Sequence, residues 1–233
     1  MFTTRMQQFV RGLAAHIAPF LKRLGLTPNF LTLAGLVITA GAALLVASGH
    51  LLIGGLVLLF GALFDILDGA VARISGPVHR YGAFWDSTVD RYAEAFIYGA
   101  LLYYFLAGGP DRVLGSMLVM ASLTGSLLVS YVRARAQSLN FECDGGLFAR
   151  PERVVVTVIA LVISPLLIWV LWLLAIFTNV TAVQRIWFVW RQARAELALE
   201  RGAGAQAPTQ AQPKAVVSKD GAAATEPGSA PPG

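Results

Sequence analysis

Residues 65–90 read DILDGAVARISGPVHRYGAFWDSTVD and place four aspartates inside or beside strongly apolar sequence. Ionised carboxylates are unfavourable in such surroundings, so their presence indicates a functional site. Asp65 and Asp68 are three residues apart, and Asp86 and Asp90 are four apart. At about 3.6 residues per turn, each pair lies on one face of its helix. The stretch therefore predicts two helices that present two carboxylates each to a shared cleft.

These carboxylates would repel one another in a cleft of low dielectric constant unless cations lay between them. Oxygen ligands without a nearby His or Cys suit hard divalent ions such as Mg²⁺ or Mn²⁺, which also bind the phosphate oxygens of substrates. We therefore expect one or two divalent ions and a phosphate ester as the substrate. Gly69 and Gly82 leave room for a ligand near the backbone, and Arg73 supplies a fixed charge for phosphate.

The same residues match the motif D-x-x-D-G-x-x-A-R-x(8)-G-x-x-x-D-x-x-x-D position for position. The chain thereby resembles the CDP-alcohol phosphatidyltransferases over roughly residues 25–190. This resemblance implies an integral membrane enzyme that transfers a phosphatidyl group from CDP-diacylglycerol, or a related CDP-lipid, to an alcohol and releases CMP. It also implies two divalent ions, Mg²⁺ or Mn²⁺, with Asp65, Asp68, Asp86 and Asp90 as ligands. Asp90 would in addition be the catalytic base.

A second family feature lies at the start of the first apolar segment, where residues 27–32 read TPNFLT. Thr27 and Pro28 suit the cap and first turn of a helix, and capping alone explains much of the stretch. Relatives carry a similar Thr-Pro-Asn-x-x-Thr sequence close to the nucleotide. The resemblance therefore implies that the following residues contact the nucleotide or CDP-lipid: Asn29, Thr32, Gly69, Arg73 and Gly82.

Arginines cluster in a third region, at Arg133 and Arg135 in SYVRARA and at Arg150 and Arg153 in RPER. The tendency of cytoplasmic loops to be basic explains any one of them, but all four could converge on one anion as planar donors. The segments resemble the phosphatidylinositol phosphate synthase branch, although Gln137 stands where Glu is expected. The resemblance implies that the four arginines bind the phosphate of inositol 1-phosphate. Glycerol 3-phosphate or another alcohol is the alternative acceptor.

The composition predicts a membrane protein, since the 233 residues are 56% hydrophobic and only 13% charged, with a mean hydropathy of +0.65. We predict an all-α integral membrane fold with six transmembrane helices, preceded by an amphipathic interfacial helix at residues 1–24. The predicted spans are residues 30–48, 51–72, 84–107, 113–135, 151–167 and 169–190. They belong to a catalytic domain at residues 25–195, and residues 202–233 have the composition of a disordered tail.

Most arginines fall in alternate loops, so the positive-inside rule places both termini and the aspartate site on the cytoplasmic side of the cell membrane. A site at that boundary suits an enzyme that joins a water-soluble headgroup to a lipid. The resemblance further implies a homodimer, and we expect no nucleic acid partner. A cation or proton transporter is a remote alternative. It would need polar groups reachable from both sides of the membrane, whereas the acids cluster near one side.

Overall fold

The computed structural model describes Gly12 and residues 15–75, 80–143 and 150–206. These residues form helices and connecting turns, without a strand, which confirms the all-α prediction. Helix α1 covers residues 15–23. The other elements are α2 (Pro28–Ala47), α3 (Leu51–Ile74), α4 (Arg80–Leu106), α5 (Arg112–Ser138), α6 (Arg150–Val162), a 3₁₀ turn (Ser164–Leu166) and α7 (Leu167–Gln206).

Helix α2 begins as its sequence predicts. Pro28 occupies the first turn, and the Phe30 N–H donates to the Thr27 hydroxyl at 3.3 Å. Proline lacks the N–H that would remain unpaired at this position, and the threonine oxygen satisfies one of the free N–H groups of the turn. This cap fixes where the chain enters α2, four residues before Thr32.

Small residues bring α2 and α3 close together. A Cβ added to Gly35 would lie 3.2 Å from the Phe64 Cβ, and one added to Gly61 would lie 3.0 Å from the Thr39 hydroxyl. Glycine at such positions allows two backbones to approach in an apolar environment, where helix association depends on close packing. The approach sets the first turns of α2 against the last turns of α3, which carry two of the motif aspartates.

The surface is apolar over much of its area. Leu44 is 73% exposed and Trp169 is 72% exposed. These exposed apolar side chains are additional to a core of buried leucines and alanines from several helices. Among the described residues, four helical stretches are long and apolar enough to cross a membrane by length and composition: 28–47, 51–74, 112–138 and 164–198. The chain is therefore a multi-pass membrane protein.

Helices α4 and α6 also coincide with predicted spans but differ from those four stretches. The first 15 residues of α4 include Asp86, Asp90, Arg91 and Glu94, and α6 is only 13 residues long. The charged groups lower the hydropathy of α4 below that of a typical membrane span. Helix α6 ends early, at the 3₁₀ turn, and is therefore shorter than a typical membrane span.

The two ends of the chain are described only in part. Of the predicted amphipathic segment 1–24, residues 1–11, 13 and 14 lie outside the described residues, as do residues 207–233 of the predicted tail. Helix α7 continues to Gln206, past the predicted start of the tail at residue 202. The chain divides into two units, residues 1–193 and residues 194–233, and the described part of the second unit is the C-terminal stretch of α7.

Candidate active site

One guanidinium group joins the two halves of the aspartate motif. The Nη2 atom of Arg150 donates to Asp65 Oδ2 of α3 at 2.8 Å and lies 2.7 Å from Asp90 Oδ1 of α4. Arg150 itself is the first residue of α6. The carboxylate pairs therefore face a shared cleft between α3 and α4, as their spacing predicted, and α6 supplies a positive charge between them.

Asp68 is the most enclosed of the four aspartates, with 5% of its surface exposed. The Thr32 hydroxyl lies 2.6 Å from Asp68 Oδ2 and 3.0 Å from the Pro28 carbonyl oxygen. Because a hydroxyl has one proton to donate, the shorter contact, to the carboxylate, is the stronger of the two. Thr32, which the sequence suggested as a nucleotide contact, thus orients a carboxylate in this structure.

The two aspartates of α4 differ in exposure. Asp90 is 8% exposed, and Arg91 Nη1 lies 3.3 Å from its Oδ2 atom. Asp86, one turn earlier, is exposed and lies within electrostatic range of Asp65 and Asp68. The carboxylate cluster therefore extends from Asp68, which is buried between helices, to Asp86, which is exposed at the surface.

The remaining predicted nucleotide contacts lie at the start of α2, the end of α3 and the start of α4. Asn29 Oδ1 lies 3.7 Å from the place where a Cβ on Gly82 would be, so the start of α2 meets the start of α4. Arg73 is exposed, and its Nη1 atom lies 4.0 Å from a Cβ built on Gly69. Both glycines therefore leave space next to these two side chains.

The four arginines of the third region do not converge in this structure. Arg150 contacts the aspartates, whereas Arg153 is 3% exposed and donates from Nη2 to Glu94 Oε1 at 2.6 Å. Arg133 and Arg135 lie exposed near the end of α5, with Arg135 Nη1 3.4 Å from the Ser138 hydroxyl. A single anion bound by all four would require movement of Arg150 and Arg153 from these partners.

Glu94 is the residue whose place in the site the motif did not reveal. It lies four residues after Asp90, on the same face of α4, and its two oxygens bond Arg153 and, at 2.8 Å, the Ser126 hydroxyl of α5. A cavity of about 40 Å³ lies between it and Asp65, and Arg150 and Arg153 are also among its lining residues. The four-residue spacing from Asp90 was the only sequence signal, and it also fits a structural ion pair.

The donor atoms of the cleft fit a hard divalent ion. All are carboxylate oxygens, and the guanidinium between Asp65 and Asp90 shows that the space between the helices accommodates positive charge. As the side chains lie, no three His, Cys, Asp or Glu residues in the described part of the chain form a ready-made ligand group. Asp65 and Asp90 instead direct an oxygen toward Arg150, so metal binding requires these two carboxylates to turn. The Thr32 contact takes only one oxygen of Asp68.

Comparisons with known proteins agree with this chemistry. The sequence model for CDP-alcohol phosphatidyltransferases matches residues 25–187. A phosphatidylinositol phosphate synthase from Mycobacterium marinum is 37% identical over 183 residues, which cover 75% of this chain and 78% of the relative. One from Corynebacterium glutamicum is 35% identical over 199 residues, covering 82% of this chain and 90% of the relative.

Solved structures of the Mycobacterium tuberculosis phosphatidylinositol phosphate synthase PgsA1 are similar in fold. The crystal structure with CDP-DAG bound has a TM-score of 0.71 and 36% identity, and covers 76% of this chain and 93% of that one. The structure of the complex with manganese and citrate has the same TM-score and identity, and the matched region covers 76% of this chain and 88% of the PgsA1 chain. The aspartate motif, the helices that carry it and these similarities together establish that the chain belongs to the CDP-alcohol phosphatidyltransferase family.

Proposed function

We propose that this protein transfers the phosphatidyl group of CDP-diacylglycerol to inositol 1-phosphate and releases CMP. The observation that carries the proposal is the bridge from Arg150 to Asp65 and Asp90, which brings both halves of the family motif and one predicted phosphate-binding arginine into one cleft. The names of the relatives, and the CDP-DAG and manganese in the PgsA1 structures, support the same donor, acceptor class and use of a divalent metal.

Two divalent ions, Mg²⁺ or Mn²⁺, would be held by Asp65, Asp68 and Asp86, with Asp90 contributing. When bound, they supply positive charge that neutralises the pyrophosphate of the CDP-lipid as its anhydride bond breaks. The Thr32 hydroxyl holds the Asp68 carboxylate in one orientation, as outer partners of metal ligands commonly do. The exposed Asn29 and Arg73, together with the space at Gly69 and Gly82, would receive the nucleotide and its phosphates.

Asp90 is our candidate for the catalytic base. Its carboxylate would take the proton of the acceptor hydroxyl while the hydroxyl oxygen forms a bond to the lipid-bearing phosphorus. The anhydride bond breaks, and CMP leaves with the electron pair. Asp90 suits this role because it lies at the junction of α4 and α6 and its contact with Arg150 aligns it toward the cleft.

The acceptor phosphate would be bound by the arginines at the end of α5 and the start of α6. Arg133 and Arg135 are exposed there, and Arg150 is partly exposed within the cleft. Planar guanidinium groups bind phosphate through several parallel hydrogen bonds, which suits an acceptor that is itself phosphorylated. Arg153 completes the predicted set, and its burial against Glu94 favours a contribution through the placement of α6.

The proposed membrane arrangement has six spans, α2 to α7, preceded by an interfacial N-terminal helix. Thr32, Asp68, Asp86, Arg133 and Arg150 all lie near the helix ends joined by the most basic loops, which supports cytoplasmic termini and a cytoplasmic active site in the cell membrane. Within this arrangement, residues 25–195 form the catalytic domain, and the protein is a homodimer.

The acceptor is tested by headgroup transfer with purified protein, CDP-diacylglycerol and Mg²⁺. Inositol 1-phosphate, free inositol, glycerol 3-phosphate and serine are offered in parallel, each isotopically labelled. We expect label in lipid from inositol 1-phosphate alone, and none after EDTA until Mg²⁺ or Mn²⁺ is restored. Transfer from a different acceptor would retain the aspartate chemistry but overturn the role of the arginines, and transfer without a divalent ion would overturn the metal proposal.

The contact between Thr32 and Asp68 leads to a second prediction. Thr32→Val keeps the shape of the side chain but removes the hydroxyl that orients the carboxylate. We expect Mn²⁺ affinity, measured by electron paramagnetic resonance titration, to fall roughly 10-fold, as for other outer partners of metal ligands. The matched control is Thr181→Val, since that buried hydroxyl bonds the Phe177 carbonyl of its own helix. Equal Mn²⁺ affinities in the two variants would contradict the orienting role.

A further inference from the structure

We propose that Glu94 is a positioning residue, which acts through Arg153 to hold α6 where Arg150 meets Asp65 and Asp90. The inference rests on the proposed metal site, and on the proposed acceptor only for its kinetic consequence. Glu94 is placed to do this because it bonds two other helices at once: Arg153 Nη2 of α6 donates to Oε1 at 2.6 Å, and the Ser126 hydroxyl of α5 donates to Oε2 at 2.8 Å.

The Glu94–Arg153 pair repeats the Asp90–Arg150 pair one helical turn away. Glu94 follows Asp90 by four residues on α4, and Arg153 follows Arg150 by three on α6, so each helix presents both members on one face. The N–O distances are 2.6 Å for Glu94–Arg153 and 2.7 Å for Asp90–Arg150. The two pairs therefore connect α4 and α6 at two levels, one helical turn apart.

The two levels differ in burial. The side chains of Arg153 and Glu94 are 4% and 7% exposed, whereas those of Arg150 and Asp90 are 24% and 11% exposed. A charge pair removed from water is screened little and tolerates displacement poorly, because each charge left without its partner would be strongly destabilised. The deeper pair is therefore the fixed one, and the pair in the cleft is the one that ligands can rearrange.

Direct packing between α4 and α6 is sparse, which gives these side chains their influence. Helix α6 packs closely on α3, whereas the cavity of about 40 Å³ separates it from α4 near the two ion pairs. Arginine side chains span that gap, beside a hydrogen bond between Tyr98 of α4 and Thr157 of α6. The position of Arg150 over Asp90 thus depends on the deeper pair more than on contact between the backbones of α4 and α6.

A double-mutant cycle on Mn²⁺ binding, without any substrate, tests this inference. Arg150→Gln removes a cation that contacts two carboxylates, so we expect Mn²⁺ to bind roughly 10-fold more tightly. Glu94→Gln should also tighten binding, since it releases Arg150 from the carboxylates. It should have no further effect in the Arg150→Gln background. Removal of a remote negative charge would by itself weaken Mn²⁺ binding, so the two explanations predict changes of opposite sign.

Two serines of α5 provide a milder test that leaves every charge in place. Ser126→Ala removes the second partner of Glu94 and should shift Mn²⁺ affinity in the same direction as Glu94→Gln, by about 2- to 3-fold. Ser122→Ala, the matched control, removes a buried hydroxyl that bonds the Leu171 carbonyl and should leave the affinity unchanged. Equal effects of the two serine variants, or an effect of Glu94→Gln that persists without Arg150, would overturn the inference.

The kinetic consequence is measured separately. If Arg150 binds the acceptor phosphate, Glu94→Gln should raise the KM for inositol 1-phosphate about 10-fold while the KM for CDP-diacylglycerol stays within about 2-fold. A purely structural defect would change both constants together and would contradict the inference. If the unmodified protein does not use inositol phosphate, the proposed function fails, yet the Mn²⁺ cycle still decides whether Glu94 acts through Arg150.

Discussion

Asp90→Asn is expected to lower turnover by about 10²- to 10⁴-fold while leaving CDP-diacylglycerol bound. Asparagine keeps the size of the side chain and an oxygen that can accept from Arg150, but it cannot take the proton of the acceptor hydroxyl. Because Asp90 contacts Arg150, one of the predicted acceptor-binding arginines, this proton transfer is the step that its loss should affect most. Single-turnover transfer of labelled inositol 1-phosphate measures the rate, and equilibrium binding of labelled CDP-diacylglycerol measures the complex.

Asp111→Asn is the matched control for this substitution. Asp111 precedes α5 at the end opposite Arg133 and Arg135, and its backbone has a φ of 51°, a conformation that asparagine also adopts readily. We expect wild-type turnover from it. Normal turnover in Asp90→Asn would refute the base assignment. A parallel loss of turnover and of Mn²⁺ affinity would instead identify Asp90 chiefly as a metal ligand.

Asp68→Asn is expected to have the second large effect, through the metal. Asp68 is the most enclosed of the four aspartates, and the Thr32 hydroxyl already fixes its orientation. Asparagine would still accept the Thr32 hydrogen bond but would bring no negative charge to the ion. We expect Mn²⁺ affinity to fall about 100-fold, and turnover at a fixed Mg²⁺ concentration to fall with it. Electron paramagnetic resonance titration gives the affinity, and rate against Mg²⁺ concentration gives the functional midpoint.

High Mg²⁺ distinguishes this variant from Asp90→Asn. Saturating metal should restore part of the activity of Asp68→Asn, because its defect lies in ion binding, whereas it should not restore a missing base. Asp111→Asn again serves as the control, with an unchanged midpoint. If Asp68→Asn binds Mn²⁺ as tightly as the unmodified protein, Asp68 is not a metal ligand.

The chemistry of the aspartates followed from the sequence because it depends on local periodicity. Spacings of three and four residues place Asp65 with Asp68 and Asp86 with Asp90 on single helix faces, whatever the rest of the chain does. The Thr27 cap and the four stretches that are long and apolar enough to cross a membrane were predictable for the same reason, since caps and hydropathy are properties of neighbouring residues. The family motif added the donor, the metal and the reaction type through resemblance.

The partners of the arginines were decided only by tertiary structure. Arg150 and Arg153 were predicted to share a face and bind one anion, yet one of them bonds Asp65 and Asp90 and the other bonds Glu94. Thr32 likewise lies against Asp68, a residue 36 positions away in the chain. Such pairings depend on how far α6 stands from α4 and how closely α2 approaches α3. Those distances are set by glycine contacts and cavities between helices. The residue pattern within a single segment does not predict them.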